Sequence, residues 1–139
     1  MKNELNIYYD EEGDYLEINI GDYTEDYFKE IDSEVAEIIN RKTNEVIGIS
    51  IMAFKERMRK IKNQFISKKI SLYYDDKKDY LEIYFGEIKK GVFKEIDGEI
   101  AEIINEKTNE VIGVSIMNFT KKTRKFTELK IPLKLEIIS

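Results

Sequence analysis

The stretch Glu34-Val-Ala-Glu-Ile-Ile-Asn-Arg-Lys-Thr-Asn-Glu-Val-Ile-Gly-Ile-Ser-Ile-Met52 recurs almost unchanged as Glu99 to Met117. The offset is 65 residues, and it holds without a gap from Leu5/Ile70 to Lys60/Lys125, with 33 of the 56 pairs identical. Such a chain is a duplicated unit. Two copies are too few for a solenoid that caps its own ends, so the expectation is two similar units related by an approximate two-fold, the covalent equivalent of a homodimer. The repeated stretch itself reads as a hairpin. Val35 to Ile39 is rich in β-branched residues, Arg41 to Glu45 is polar and turn-forming, and Ile47, Ile49 and Ile51 alternate. Asn44 and Asn109 stand where that turn needs left-handed backbone, which Asn tolerates.

Each unit begins with a further alternating pair of segments. Leu5 to Tyr9 and Tyr15 to Ile20 flank the turn Asp10 to Gly13; Ile70 to Tyr74 and Tyr80 to Phe85 flank Asp75 to Lys78. A four-residue loop at 10–13 sets Tyr9 opposite Asp14, Tyr8 opposite Tyr15 and Ile7 opposite Leu16. That register puts Leu5, Ile7, Leu16, Ile18 and Ile20 on one face, and Tyr8, Tyr15, Glu17 and Asn19 on the other. After Gly21 or Gly86 comes a diverged connection, Asp22 to Asp26 or Glu87 to Gly91, and then a third strand at Phe28 to Ile31 or Phe93 to Ile96. Beyond Met52 the period changes: Phe54, Met58 and Ile61 fall on one face of a short helix. Asn118 is the expected N-cap of the equivalent helix carrying Phe119 and Phe126, whose Thr120 and Thr123 lower its propensity. The alternation from Ile131 to Ile137 reads as a closing strand, with Leu135 and Ile137 in the phase of Leu5 and Ile7, as if a third copy began there to finish the last unit's sheet. The expected fold is therefore α+β and predominantly antiparallel β: two β-meander units with one short helix each, residues 1–65 and 66–139, pseudo-two-fold related.

Composition narrows the chemistry. With 42% hydrophobic and 37% charged residues the chain has apolar mass for a core, and no apolar run approaches the roughly 18 residues of a membrane span. The N-terminus lacks a signal-like apolar region, so a cytoplasmic location without membrane contact is expected. The absence of cysteine and histidine removes thiolate nucleophiles, zinc-thiolate sites and the commonest general base. The net charge of -5 divides into -6 (nine Lys/Arg against fifteen Asp/Glu) for residues 1–65 and +1 (fourteen against thirteen) for residues 66–139.

The pattern Tyr9-Asp10, three residues, Asp14-Tyr15-Leu16-Glu17-Ile18-Asn19-Ile20, followed by Glu30-Ile31-Asp32 and Val46-Ile47-Gly48-Ile49-Ser50-Ile51, resembles the prokaryotic family called domain of unknown function 2283. The second copy repeats it through Tyr74-Asp75, Asp79-Tyr80-Leu81-Glu82-Ile83, Glu95-Ile96-Asp97 and Val111-Ile112-Gly113-Val114. Members are small β-rich domains, often beside small toxin-like genes. The resemblance implies an antitoxin-like partner protein and supplies no catalytic residues. This chain departs from the family in being tandem, in its longer central turn, and in its helix and closing strand.

Three sets of residues invite a chemical reading. Asp10 and Asp14, repeated as Asp75 and Asp79, have the oxygen chemistry for calcium or magnesium but not the spacing of a caging loop, and Asp residues also bracket turns by accepting from backbone amides. Lys55, Arg57, Arg59, Lys60 and Lys62, with Lys121, Lys122, Arg124 and Lys125, make the helical segments basic, which suits phosphate contact or simply a solvated helix face. Tyr8 and Tyr15, with Tyr73, Tyr80 and Tyr84, stand opposite the aliphatic face, where they pack one copy on the other or meet a second protein. The diverged loop adds Tyr23, Glu25 and Asp26, acidic where its counterpart carries lysines. The reading adopted is a non-catalytic interaction module, antitoxin-like, for a small basic protein, without cofactor or metal and acting as a monomeric pseudo-dimer or homodimer. Nucleic-acid binding through the basic helices is the alternative, and a metal-dependent or carboxylate enzyme the third.

Overall fold

Strand formation here follows the period-two alternation of β-branched and aromatic residues, and the alternation decides which face turns inward. The computed structural model describes residues 4–21, 25–60, 63–65, 69–125 and 128–133, with 63–65 described as backbone only. The first copy forms β1 (Glu4–Asp10), β2 (Tyr15–Ile20), β3 (Asp26–Glu30), β4 (Val35–Asn40), β5 (Val46–Met52), α1 (Phe54–Lys60) and β6 (Asn63–Phe65). The second repeats the series as β7 (Ser71–Asp75), β8 (Tyr80–Tyr84), β9 (Val92–Glu95), β10 (Ile100–Ile104), β11 (Val111–Met117), α2 (Phe119–Lys125) and β12 (Leu129–Pro132). The α+β, antiparallel, twice-repeated architecture is as the repeat implies. No helix among the described residues is long and apolar enough to cross a membrane.

The strands make two six-stranded antiparallel sheets, ordered β12-β1-β2-β5-β4-β3 and β6-β7-β8-β11-β10-β9. Within each, β3-β4-β5 or its counterpart is a meander, but its last strand, not its first, lies beside the opening hairpin. Gly48 and Gly113 permit that neighbour: a Cβ on Gly48 would come within 2.1 Å of the Ile18 carbonyl oxygen, and one on Gly113 within 2.5 Å of that of Ile83. Asn44 and Asn109 both adopt φ 62, the left-handed backbone expected of the central turns.

The opening hairpin differs in register from the expected one. Asp10 pairs with Tyr15, Tyr8 with Glu17 and Ile7 with Ile18, because the loop closes at 11–14, not 10–13. A shift of two in the pairing leaves every side chain on its face, so the aliphatic surface survives the correction. Tyr9, in phase with Leu5 and Ile7, belongs to that surface and is 6% exposed.

The two units exchange their last strands. β6, which follows the first helix, pairs with β7 of the second unit through Asn63↔Tyr73 and Gln64↔Leu72. β12, which follows the second helix, pairs with β1 through Leu5↔Ile131 and Ile7↔Leu129. The closing strand thus starts at Leu129, corresponds to the segment around β6, and finishes the other unit's sheet. Leu135 and Ile137 lie outside the described residues. The reason is where the helices lie: α1 lies against β7 and α2 against β1, so the chain leaving each helix emerges at the neighbour's edge. One continuous core results. It joins Leu5, Ile7, Leu16, Ile18, Ile49 and Ile51 to Ile70, Leu72, Leu81, Ile83, Val114 and Ile116, and it is completed by Met58, Leu129 and Ile131. At its centre Tyr9, Phe54, Tyr74 and Phe119 form a pseudo-symmetric cluster, with Tyr9 to Phe119 at 5.4 Å and its counterpart Phe54 to Tyr74 at 5.1 Å between ring centroids. The matched contacts are those of an isologous interface.

Candidate protein-binding faces

The Tyr-Asp-x3-Asp-Tyr motif is first of all a helix-capping device. Asp14 adopts φ 51 and Asp79 φ 53, turning each side chain back toward the helix of its own unit. The Asp14 carboxylate accepts from Lys55 N at 2.9 and 3.1 Å, and that of Asp79 from Thr120 N at 3.1 Å and Thr120 Oγ1 at 2.7 Å. Each also accepts a buried phenol, Tyr9 Oη at 2.6 Å and Tyr74 Oη at 3.2 Å. Burial, reinforced by the neighbouring Asp, pushes the Tyr9 and Tyr74 phenols well above the ordinary tyrosine value. The cap therefore comes from the hairpin 41 residues upstream, and Asn118 is not the N-cap: it adopts φ 55 and its amide donates to Glu99. Asp75 does bracket its turn, accepting from Lys77 N at 3.1 Å and Lys78 N at 3.3 Å. These carboxylates are engaged with backbone and phenols, and no group of three or more acidic side chains suited to a metal occurs among the described residues.

The tyrosines singled out from sequence lie elsewhere, on the outer face of each sheet. They do not pack one copy against the other, since that contact is made by the aliphatic faces and by Tyr9, Tyr74 and the helix phenylalanines. Tyr8 and Tyr15 meet edge-to-face at 6.3 Å, and Tyr73 and Tyr80 do the same at 6.3 Å. Tyr15 Oη donates to Glu17 at 2.7 Å. In the second copy Tyr80 Oη and Tyr84 Oη both donate to Glu82, at 2.5 and 2.7 Å. Burial and the adjacent glutamate hold the Tyr15, Tyr80 and Tyr84 phenols above their ordinary value, so they remain donors. Tyr84 itself is buried over Ile103 and Ile112, a position that Asn19 occupies in the first copy.

The cross-strand partner of Tyr15 is Met52, and that of Tyr80 is Met117. Both methionines are exposed, at 57% and 53%, and both extend the tyrosine patch. Sequence reading missed them because each continues an alternating apolar strand; only the strand order sets them beside tyrosines. Glu25 and Asp26 sit at the start of β3, three strand spacings from β2, or about 14 Å, so they do not touch Tyr8 or Tyr15. Tyr23 lies outside the described residues.

Several of the helix cations are ion-paired. Arg57 pairs with Asp32 and Glu34, and Lys122 with Glu99. Arg59 reaches Asp76 at 2.9 Å and Arg124 reaches Glu11 at 2.6 Å, a reciprocal pair of bridges between the units. These pairings join helix to turn and unit to unit. A scan against protein-family models, a search of curated proteins and a search of solved structures each find no match.

Proposed function

We propose that this protein is a non-catalytic interaction module that holds a small basic protein, in the manner of a cytoplasmic antitoxin, through the outer faces of its two sheets. The observation that carries this reading is the duplicated set Tyr8, Tyr15, Glu17, Ser50 and Met52, which stands unaltered as Tyr73, Tyr80, Glu82, Ser115 and Met117 although the contact between units does not use it. Half-buried aromatic and exposed Met side chains around a few polar groups have the composition of an interface centre. The resemblance borne by Asp14-Tyr15-Leu16-Glu17-Ile18 supports the same role, and the net charge of -5 favours a basic partner. The test is photo-crosslinking in cells from p-benzoylphenylalanine placed at Met52 or Met117, with Lys107 on the exposed central turn as control. A small basic protein captured from both methionine positions and not from 107 is expected. Equal capture from all three positions, or capture of nucleic acid, overturns the reading.

A further inference from the structure

Each tyrosine patch has a carboxylate at its centre that no lysine or arginine among the described residues pairs with. Glu17 lies directly between Tyr8 on β1 and Ser50 on β5, with Tyr15 two residues before it on its own strand. Glu82 lies in the same way between Tyr73 and Ser115, with Tyr80 and Tyr84 on either side. Both glutamates are half-buried, and no ion pair among the described residues involves either of them. Glu11, Asp32, Glu34, Asp76 and Glu99, by contrast, each meet a lysine or arginine.

A carboxylate takes about four hydrogen bonds, so one or two phenol donors leave acceptor positions over. Around it stand tyrosine rings, whose π-faces attract cations, and an exposed thioether, which favours an apolar stem. The complement is a charged head on a hydrocarbon arm. Arginine fits better than lysine, because its planar fork bonds a carboxylate bidentately while its face stacks on an aromatic ring.

Resting on the interaction reading above, we infer that Glu17 with Tyr8 and Tyr15, and Glu82 with Tyr73 and Tyr80, are two receptor sites for arginine side chains of the basic partner. The sites lie on faces that point away from the shared core, so they are filled independently and each chain takes two arginine-bearing segments. The second site is the more rigid, since two phenols fix the Glu82 carboxylate where one fixes that of Glu17.

The probe is the peptide acetyl-Gly-Arg-Gly-amide, titrated into the full chain and followed by the ring resonances of the tyrosines. Two peptides per chain are expected to bind, with saturable shifts at Tyr15 and Tyr80. The citrulline peptide, neutral and of the same shape, should bind at least about tenfold more weakly, as loss of a charge-assisted pair requires. Glu82→Gln should remove the Tyr80 response and leave that of Tyr15. Equal binding of the citrulline peptide to the unaltered chain, or two sites retained when Glu17→Gln and Glu82→Gln are combined, overturns the inference. If photo-crosslinking at Met52 and Met117 still captures a basic protein while the arginine peptide is ignored, the arginine sites fall and the interaction reading stands.

Discussion

Replacing Asp14 by alanine removes several linked contributions at one residue. Its carboxylate accepts from Lys55 N at 2.9 Å, from Glu56 N at 3.4 Å and from Tyr9 Oη at 2.6 Å, and its backbone holds φ 51. Loss of an N-cap costs about 1 kcal/mol. A mostly buried phenol left without its acceptor costs about 1–2 kcal/mol more. Left-handed backbone is harder for alanine than for aspartate by about 1 kcal/mol. The sum, about 3–4 kcal/mol, is a large share of the roughly 5–15 kcal/mol that holds an ordinary domain together. Asp14→Asn keeps the backbone preference and one acceptor, and should cost about 1 kcal/mol. Tyr9→Phe should cost about 1 kcal/mol alone, yet combined with Asp14→Ala it should cost less than the sum, because the stranded hydroxyl is then gone. Urea unfolding monitored by circular dichroism measures all four proteins. An Asp14→Ala midpoint close to that of the unaltered chain, or strict additivity with Tyr9→Phe, would refute the capping argument.

Strand exchange implies that residues 1–68 expressed alone form a homodimer in which each copy's β6 covers its partner's sheet; light scattering showing a folded monomer would contradict this. Gly113→Ala should prevent folding or cost several kcal/mol, since its Cβ would lie 2.5 Å from a backbone oxygen, whereas Gly98→Ala, with nothing within 4 Å, should leave the urea midpoint nearly unchanged. Stability should also fall at both ends of the pH scale. The raised phenols of Tyr9 and Tyr74 stay protonated in the fold and ionise only in the unfolded chain, so their contribution is complete below the ordinary tyrosine value of 10.0 and lost above it. Asp32, held below the usual carboxylate range first by the Glu34 backbone amide, acts in the opposite sense: its contribution is complete above about 4 and is lost as pH falls below that. With no histidine in the chain, urea midpoints measured between these limits should form a plateau.

Local pattern was legible in the sequence wherever one face of an element had to differ from the other. Leu5, Ile7, Leu16 and Ile18 declare an inward face by period two, and Phe54 and Met58 declare a helix by their spacing. Asn44 and Asn109 mark left-handed turn positions that few other residues occupy without strain. The 65-residue repeat determined that there would be two such units and that their contacts would be reciprocal. Tertiary structure alone decided what crosses between them. Asp14 caps a helix that begins 40 residues later, Met52 stands beside Tyr15, and β12 completes the first unit's sheet. None of these carries a periodic signal, because each depends on which strand lies next to which. That order is settled by the global packing of two aliphatic faces into one core, and it is this packing that leaves the Tyr8-Tyr15-Glu17 and Tyr73-Tyr80-Glu82 faces turned outward.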